Sequence, residues 1–409
     1  MSNNNSNPPD TDDTPQFSYA EYTLDEMLQA YESIDKEAFP ERAEMLQKLI
    51  IEHQTVIKSI NSSGPKILES ARVKFHGNGT EYFAIWIVNL LLSILTLGIY
   101  SAWATVRTNR YFYSNTEIVG HRLSYLAEPI QILKGRIIAV LLLAAYLIAS
   151  NFSPMAALVI IALIMLMTPF IIVIGVRFRM RMMSYRNVRF NFKVRFRRAC
   201  VVFLLFPVLG VLSLYLAMPW VLKKIDEFLY ENMEYGDKAF STNLSAGDYY
   251  VAAVVSTFIA FVGFMIIGIG FGITAAIAGS EGQSIGYFFM LALGAIVYLL
   301  VIVATASYYQ AYIRNHVYNN TKIDDVATLK SDVKIFDLMV LNAGNYLMLI
   351  CSLGLAIPWV KVRTAKFLSN ATSVSILEGI EQVVATSGSQ DSAVADEVIG
   401  AFDIDISIG

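Results

Sequence analysis

Residues 137–176 read IIAVLLLAAYLIASNFSPMAALVIIALIMLMTPFIIVIGV and run directly into residues 177–196, RFRMRMMSYRNVRFNFKVRF. The first stretch contains no Asp, Glu, Lys or Arg. About 20 apolar residues cross a bilayer as a helix, so this block holds two crossings, with Ser150-Asn-Phe-Ser-Pro154 as the turn between them. The second stretch inverts the composition, with nine Lys or Arg between Arg177 and Arg198. Within it Val188–Phe196 alternates apolar and polar at period two, which places Arg189, Asn191, Lys193 and Arg195 on one face of a strand.

The rest of the chain follows the same logic. Of 409 residues 55% are apolar and only 16% charged, with a mean hydropathy of +0.51. A soluble chain carries roughly 25% charged residues, so an ordinary soluble protein is excluded. Apolar segments fall at about 82–106, 129–150, 155–176, 199–222, 249–278, 285–313 and 338–360. The fold class expected is mainly α: a polytopic helical membrane protein with internal repeats, short cytoplasmic β elements and an N-terminal cytosolic α-hairpin.

Residues 1–16 are polar and acidic and read as disordered, with no cleavable signal peptide. Residues 17–65 read as the α-hairpin, with a capping box from Thr23 to Glu26 and Pro40 in the first turn of the second helix. Residues 73–388 form the membrane domain and 389–409 an acidic tail. In that tail Asp403-Ile-Asp-Ile-Ser-Ile408 alternates as a strand, which is expected to dock on the basic ribbon Val188–Phe196 as on an open sheet edge. Cys200 and Cys351 lie far apart and the four histidines stand alone, so neither a disulfide framework nor a zinc site is expected, and no cofactor.

An internal repeat organises the membrane domain. Aligning Trp103, Trp220 and Trp359 superimposes Leu97-Gly98 on Leu353-Gly354, Arg107-Thr108 on Arg363-Thr364 and Asn89 on Asn345. Tyr-x-Asn recurs at Tyr113, Tyr185, Tyr230 and Tyr318, which reads as four equivalent segment ends. Strand-like stretches follow at residues 118–125 about Gly120 and at 235–240 about Gly236, and Val73-Lys-Phe75 precedes the first segment. Asn89, Gly98, Trp103, Arg107, Trp220, Asn345, Gly354, Trp359 and Arg363, with Arg189, Lys193 and Arg195 of the ribbon, are the candidate structural or lipid-contact positions.

The run Phe75-His-Gly77-Asn-Gly79-Thr-Glu81-Tyr-Phe83, with Asn89, Thr96-Leu97-Gly98-Ile99-Tyr100, Trp103, Arg107 and Tyr111, resembles the YjgN-like family of bacterial inner-membrane proteins. The ending Glu397-Val-Ile-Gly-Ala-Phe402-Asp-Ile-Asp405 does so too. The likeness covers about residues 73–409. It implies an integral inner-membrane protein of unknown activity and supplies no catalytic residues.

Lys and Arg flank the two long apolar blocks on their outer ends and avoid their turns, so by the positive-inside rule both turns are periplasmic. The three tryptophan-marked segments carry basic residues at both ends. Two readings stand: each re-enters on the cytoplasmic side, broken at Gly98, at Pro207 and Gly210, and at Ala343-Gly344, or each crosses once in an inverted repeat. Gly268, Gly272 and Ala276 present a small-residue face for close helix packing. Acid, base or relay residues deep in apolar segments are not found, nor a P-loop or a metalloprotease or hydrolase motif, so an enzyme is not expected. Nucleic acid is a poor fit. The expected function is passive transport or lipid handling, with anionic headgroups on the basic ribbon; the alternative is an envelope scaffold or regulatory protein acting through its cytoplasmic parts. A homo-oligomer, or a cytosolic protein bound through residues 17–65, is the further partner considered.

Overall fold

The computed structural model of the chain describes residues 24–34, 36, 38–62, 66–278 and 285–383. The expected disordered start, the Thr23 cap and the acidic tail with its strand lie outside the described residues. Helices α1 (Leu24–Ser33) and α2 (Pro40–Ser62) pack on each other through Met27, Leu46 and Ile50, and form a compact unit by themselves.

From Ile67 a second unit alternates helical and β hairpins. Strands β1 (Ile67–Arg72) and β2 (Lys74–Phe75) precede α3 (Gly79–Leu95) and α4 (Ser101–Ser114), then β3 (Thr116–Ile118) and β4 (His121–Tyr125). Helices α5 (Pro129–Phe152) and α6 (Pro154–Arg181) lead to β5 (Met183–Tyr185) and β6 (Val188–Phe192). The third helical unit is α7 (Phe196–Cys200), a π-helical turn at Val201–Leu205, α8 (Phe206–Leu212) and α9 (Met218–Glu231), followed by β7 (Met233–Tyr235) and β8 (Lys238–Thr242). Helices α10 (Ala246–Ala278) and α11 (Ile285–Asn319) precede β9 (Thr321–Ile323) and β10 (Ala327–Ser331). Helices α12 (Ile335–Cys351) and α13 (Ile357–Asn370) precede β11 (Thr372–Leu377) and a 3₁₀ turn, Glu378–Gln382.

These strands correct the expected fold class. They are not short β elements punctuating a mainly helical bundle, because all eleven join one antiparallel sheet in the order β1-β11-β10-β9-β8-β7-β6-β5-β4-β3-β2. The two end strands are joined by Val73 alone, whose N–H also donates to Thr372 O at 2.8 Å, so the sheet closes almost completely into a barrel. Sequence periodicity missed this for a physical reason. Strands of three residues are too short to display a period, and half of the pairings link strands separated by an entire helical hairpin. Such a ring leaves an edge only where β1 and β2 meet. The ribbon β6 is paired with β5 on one side and β7 on the other, so it cannot receive the acidic tail as an added strand.

A single apolar cluster draws on Val73, Tyr185, Tyr235, Ile323, Ala327 and Val374, with Leu123, Phe190 and Phe240 against it. Residues from strands all round a ring meet only inside it, so the barrel is filled. Its polar atoms are paired as well: Tyr235 donates its hydroxyl to Tyr185 O at 3.0 Å, and Tyr185 donates to Ile118 O at 2.9 Å. Burial pushes the Tyr235 hydroxyl up to about 12.

Connectivity fixes the orientation of everything else. The tight turns, such as Val119-Gly120 and Arg186-Asn187 with positive φ at both residues, lie at one end of the barrel. Such turns match the right-handed twist of short hairpins. Every helical unit therefore leaves from the other end and returns to it. The repeat of three becomes five helical hairpins on a common ring. Four helices are long and apolar enough to cross a membrane, α5, α6 and the apolar parts of α10 and α11. Both basic flanks and the barrel lie at the base of these helices, which makes the barrel cytoplasmic.

The three tryptophan-marked units also begin and end at the barrel, so they reverse within the membrane layer. Their first arms, at 17 residues for α3 and α12, reach about 25 Å at 1.5 Å per residue. The reversals sit at Leu97-Gly98, Leu214-Tyr215 and Leu353-Gly354, all at positive φ. Each is closed the same way. Gly98, Tyr215 and Gly354 donate N–H groups to Ser93 O, Gly210 O and Leu349 O at 2.7, 3.0 and 2.9 Å, as in a Schellman cap. The hydroxyls of Thr96, Ser213 and Ser352 accept from the N–H groups of Tyr100, Ala217 and Ala356, each at 2.9 Å. Backbone groups at the tips are thus satisfied internally, which is the condition for irregular backbone in hydrocarbon. The leucines at the three tips are 95%, 83% and 94% exposed. Of the expected break sites only Gly98 is a reversal. Pro207 follows the π-helical turn and the chain runs through it, Gly210 lies in α8, and Ala343-Gly344 lies inside α12.

Two other expectations are corrected. Asn115, Asn232 and Asn320 each follow the last residue of a helix and donate from Nδ2 to the carbonyl four residues back, at 2.9, 2.6 and 2.7 Å. The fourth motif differs, since Tyr185 is already in β5 and Asn187 in the hairpin turn. Gly268 and Gly272 face open space, so they are not the close-packing face; the glycine in contact is Gly263, against Val301.

Candidate functional site

Neighbouring helical units touch all the way round, α4 on α5, α6 on α7, α9 on α10, α11 on α12 and α13 on α3, so the helices form a ring above the ring of strands. A cavity of about 520 Å³ is lined jointly by α3, α4, α5, α6 and Lys361 of α13. The three hairpins that line it, the fifth, the first and the second, are consecutive in this ring.

Its walls are polar by position, not by accident of length. Asn78 caps α3 by accepting from Thr80 N at 2.9 Å, and Gly79 follows because a Cβ there would lie 2.4 Å from Trp359 Cδ1. That close contact seats α13 on α3 and brings Lys361 to the cavity. Trp359 stacks on Phe83 at 4.8 Å. On the opposite wall Trp103 packs with Ile132 and Phe178, which joins α4 to α5 and α6. Between these joints Asn89 donates to Ala104 O at 3.5 Å and accepts from Arg107 Nη1 at 3.3 Å, tying α3 to α4. Arg136 reaches in from α5, donating from Nη2 to Thr105 Oγ1 at 2.8 Å and from Nη1 to Ser101 Oγ. Tyr82, Tyr113 and Tyr125 line the barrel end of the cavity, and Ser93 and Ser101 the end near the tip. Burial raises the Tyr113 pKa, with the Arg179 charge opposing, so its hydroxyl stays protonated. Among the described residues Arg136, Arg179 and Lys361 line the cavity and no Asp or Glu does.

The twelve candidate positions separate on the structure. Asn89 lines this cavity, and Arg107 bonds it from α4. Asn345 and Arg363 occupy the same places in α12 and α13 but part company, Asn345 bonding Thr364 Oγ1 at 3.1 Å and Arg363 bonding Met348 Sδ at 2.9 Å. Gly98 and Gly354 are at tips. Trp103 and Trp359 are joints between hairpins, while Trp220 packs within its own hairpin on Phe206 at 4.8 Å. Arg189 and Arg195 are exposed on or beside β6, and Lys193 pairs with Glu234 at 2.9 Å; none of the three reaches the cavity. The cavity cations Arg136, Arg179 and Lys361 were legible in the sequence only as positive flanks of apolar segments. Their convergence depends on the ring.

A separate, half-buried acid lies on α9. Asp226 accepts a short hydrogen bond from the fully buried Tyr249 of α10, and burial pushes its carboxyl up to about 6. The folded-state value exceeds the unfolded one, so between about pH 4 and 6 the folded protein retains a proton that the unfolded chain has lost. Thermal unfolding in detergent is expected to show stability falling as pH rises through that window and levelling above it. Asp226→Asn should remove the slope.

The arrangement defines a class: a polytopic inner-membrane protein in which helical hairpins, long and re-entrant, stand on a cytoplasmic strand barrel. The family model "Bacterial protein of unknown function (DUF898)" matches residues 70–401. The chain belongs to that family, the YjgN-like inner-membrane proteins. It is 24% identical over 299 residues to "Inner membrane protein YjgN" of Escherichia coli O157:H7, covering 61% of this chain and 75% of the relative. It is 33% identical over 141 residues to the protein of the same name in Escherichia coli K12, covering 34% and 35% of the two chains. For the Salmonella typhimurium protein the identity is 30% over 145 residues, covering 35% and 37%. No solved structure matches.

Proposed function

We propose that the protein handles membrane lipid passively, admitting an amphiphile from the bilayer into the hairpin ring. The observation that carries this reading is the polar cavity between three hairpins of a ring whose helices expose apolar side chains such as Leu141, Leu163, Phe258 and Ile269. Below it the axis is filled by the barrel core, so a water-borne solute has no straight path to the cytoplasm. A ligand with an apolar part, entering sideways between hairpins, fits both features. The reading involves no catalysis and no cofactor. Reconstitution tests it. Vesicles containing the purified protein should exchange fluorescent phospholipid between leaflets faster than empty vesicles, and the purified protein should retain lipid through detergent exchange. Failure of both sinks the proposal.

A second reading, docking of a cytosolic protein, is supported by the separate α1–α2 unit, on which Phe39, Met45 and Ile51 are exposed. Deleting residues 1–65 discriminates, since lipid movement should survive that deletion and a docked partner should not.

A further inference from the structure

We propose that the cavity between α3, α4, α5, α6 and α13 binds a phosphate-bearing anion, and that the anion is the headgroup of an anionic phospholipid. The inference rests on the lipid-handling reading and names its substrate class.

Charge is the first argument. Arg136 from the second hairpin and Lys361 from the fifth line one cavity, and among the described residues no carboxylate lines it. Bringing like charges together in a partly enclosed space is unfavourable unless an anion joins them. Geometry is the second. A guanidinium has five N–H donors. Two nitrogens of Arg136 are held by Ser101 and Thr105, which fixes the plane of the group and leaves donors over for a bidentate contact of the kind Arg makes with phosphate. Lys361 supplies a second cation, and the cavity size lies within the range of small-ligand sites.

The repeat supplies the third argument. Structural positions are kept between the first and last hairpins: Asn89 and Asn345, Gly98 and Gly354, Thr108 and Thr364. The polar lining is kept only in part, at Asn89 and Thr108. Tyr82, Ser93 and Ser101 stand where the last hairpin has Leu338, Leu349 and Ile357, so the architecture itself does not require them. These three hydroxyls are particular to the first hairpin, and they add donors and acceptors to the cavity beyond the polar positions that both hairpins share.

The test uses the full chain in nanodiscs of equal parts phosphatidylglycerol and phosphatidylcholine, with retained lipid identified by native mass spectrometry. Trp86 lines the cavity, so a change in tryptophan fluorescence that Trp86→Phe abolishes reports occupancy. The wild type is expected to retain phosphatidylglycerol over phosphatidylcholine, and Lys361→Gln and Arg136→Gln each to lower that retention roughly fivefold. Arg136 also ties α5 to α4, so Arg136→Lys, which keeps the charge, serves as the folding control and should retain more than Arg136→Gln. Lys361→Gln removes a charge with no bond between helices among the described residues. Titration with inorganic phosphate separates the sources. Phosphate that changes the fluorescence and displaces the lipid, or binds without any lipid retained, overturns the headgroup assignment in favour of a soluble phosphate. Equal retention of the two lipids, unchanged in both glutamine variants, overturns the anion site while leaving lipid handling standing. Loss of all lipid retention with no response to phosphate defeats both.

Discussion

A cysteine placed at Ser241, in a chain whose Cys200 and Cys351 have been replaced, is expected to react with a membrane-impermeant maleimide only from the cytoplasmic side. One placed at Asn151 should react only from the periplasm. The effect is all or none. Ser241 is exposed on β8, paired with Lys322 of β9, within the same ring that holds the start and end of every helical unit. Had the tryptophan-marked segments each crossed the membrane once, β7 and β8 would lie on the opposite side from β5 and β6, and the pairing of Phe190 with Tyr235 could not form. Asn151 lies at the far end of α5, at a turn without basic residues. Periplasmic labelling at Ser241 would break the barrel as well as the topology.

Gly263→Val is expected to destabilise the protein by about 3 kcal/mol, the upper part of the range for overpacking a tight contact. A Cβ at Gly263 would fall 2.3 and 2.5 Å from the two Cγ atoms of Val301 and 3.0 Å from its Cβ. The Val301 side chain is β-branched and stiff at χ1, so relief requires α10 and α11 to move apart. Gly268→Ala is the internal control. Nothing lies within 4 Å of its Cβ position, and replacing Gly by Ala in a helix favours the helix by about 1 kcal/mol. Thermal unfolding of the two variants in one detergent decides the matter. Equal stability of both would mean that the two helices do not meet at Gly263.

Much of this protein was legible from side-chain chemistry read along the chain. Long uncharged blocks force membrane helices because unpaired backbone groups are intolerable in hydrocarbon. Lys and Arg at block ends set the cytoplasmic side, and the shared Leu97-Gly98 and Leu353-Gly354 pairs marked a local conformation that recurs as the same tip turn. The Gly263–Val301 contact was not legible. Gly268 and Gly272 carry the same residue type, and which glycine meets a neighbour depends on how two helices are rotated about their axes.

The strands make the same point on a larger scale. Three-residue strands such as Met183–Tyr185 and Thr321–Ile323 carry almost no periodic signal, and they are stable because each finds two neighbours in a ring. That ring decided that the basic ribbon Val188–Phe196 is an interior strand and not a docking edge, and that three apolar segments turn back instead of crossing. It also decided the site. Composition placed Arg136 and Lys361 at the cytoplasmic ends of separate segments, and nothing local relates them. Only closure of the helices through the tight contact of Gly79 with Trp359 sets both against one cavity, because a meeting of the first and last hairpins is a property of the closed ring and not of either sequence segment.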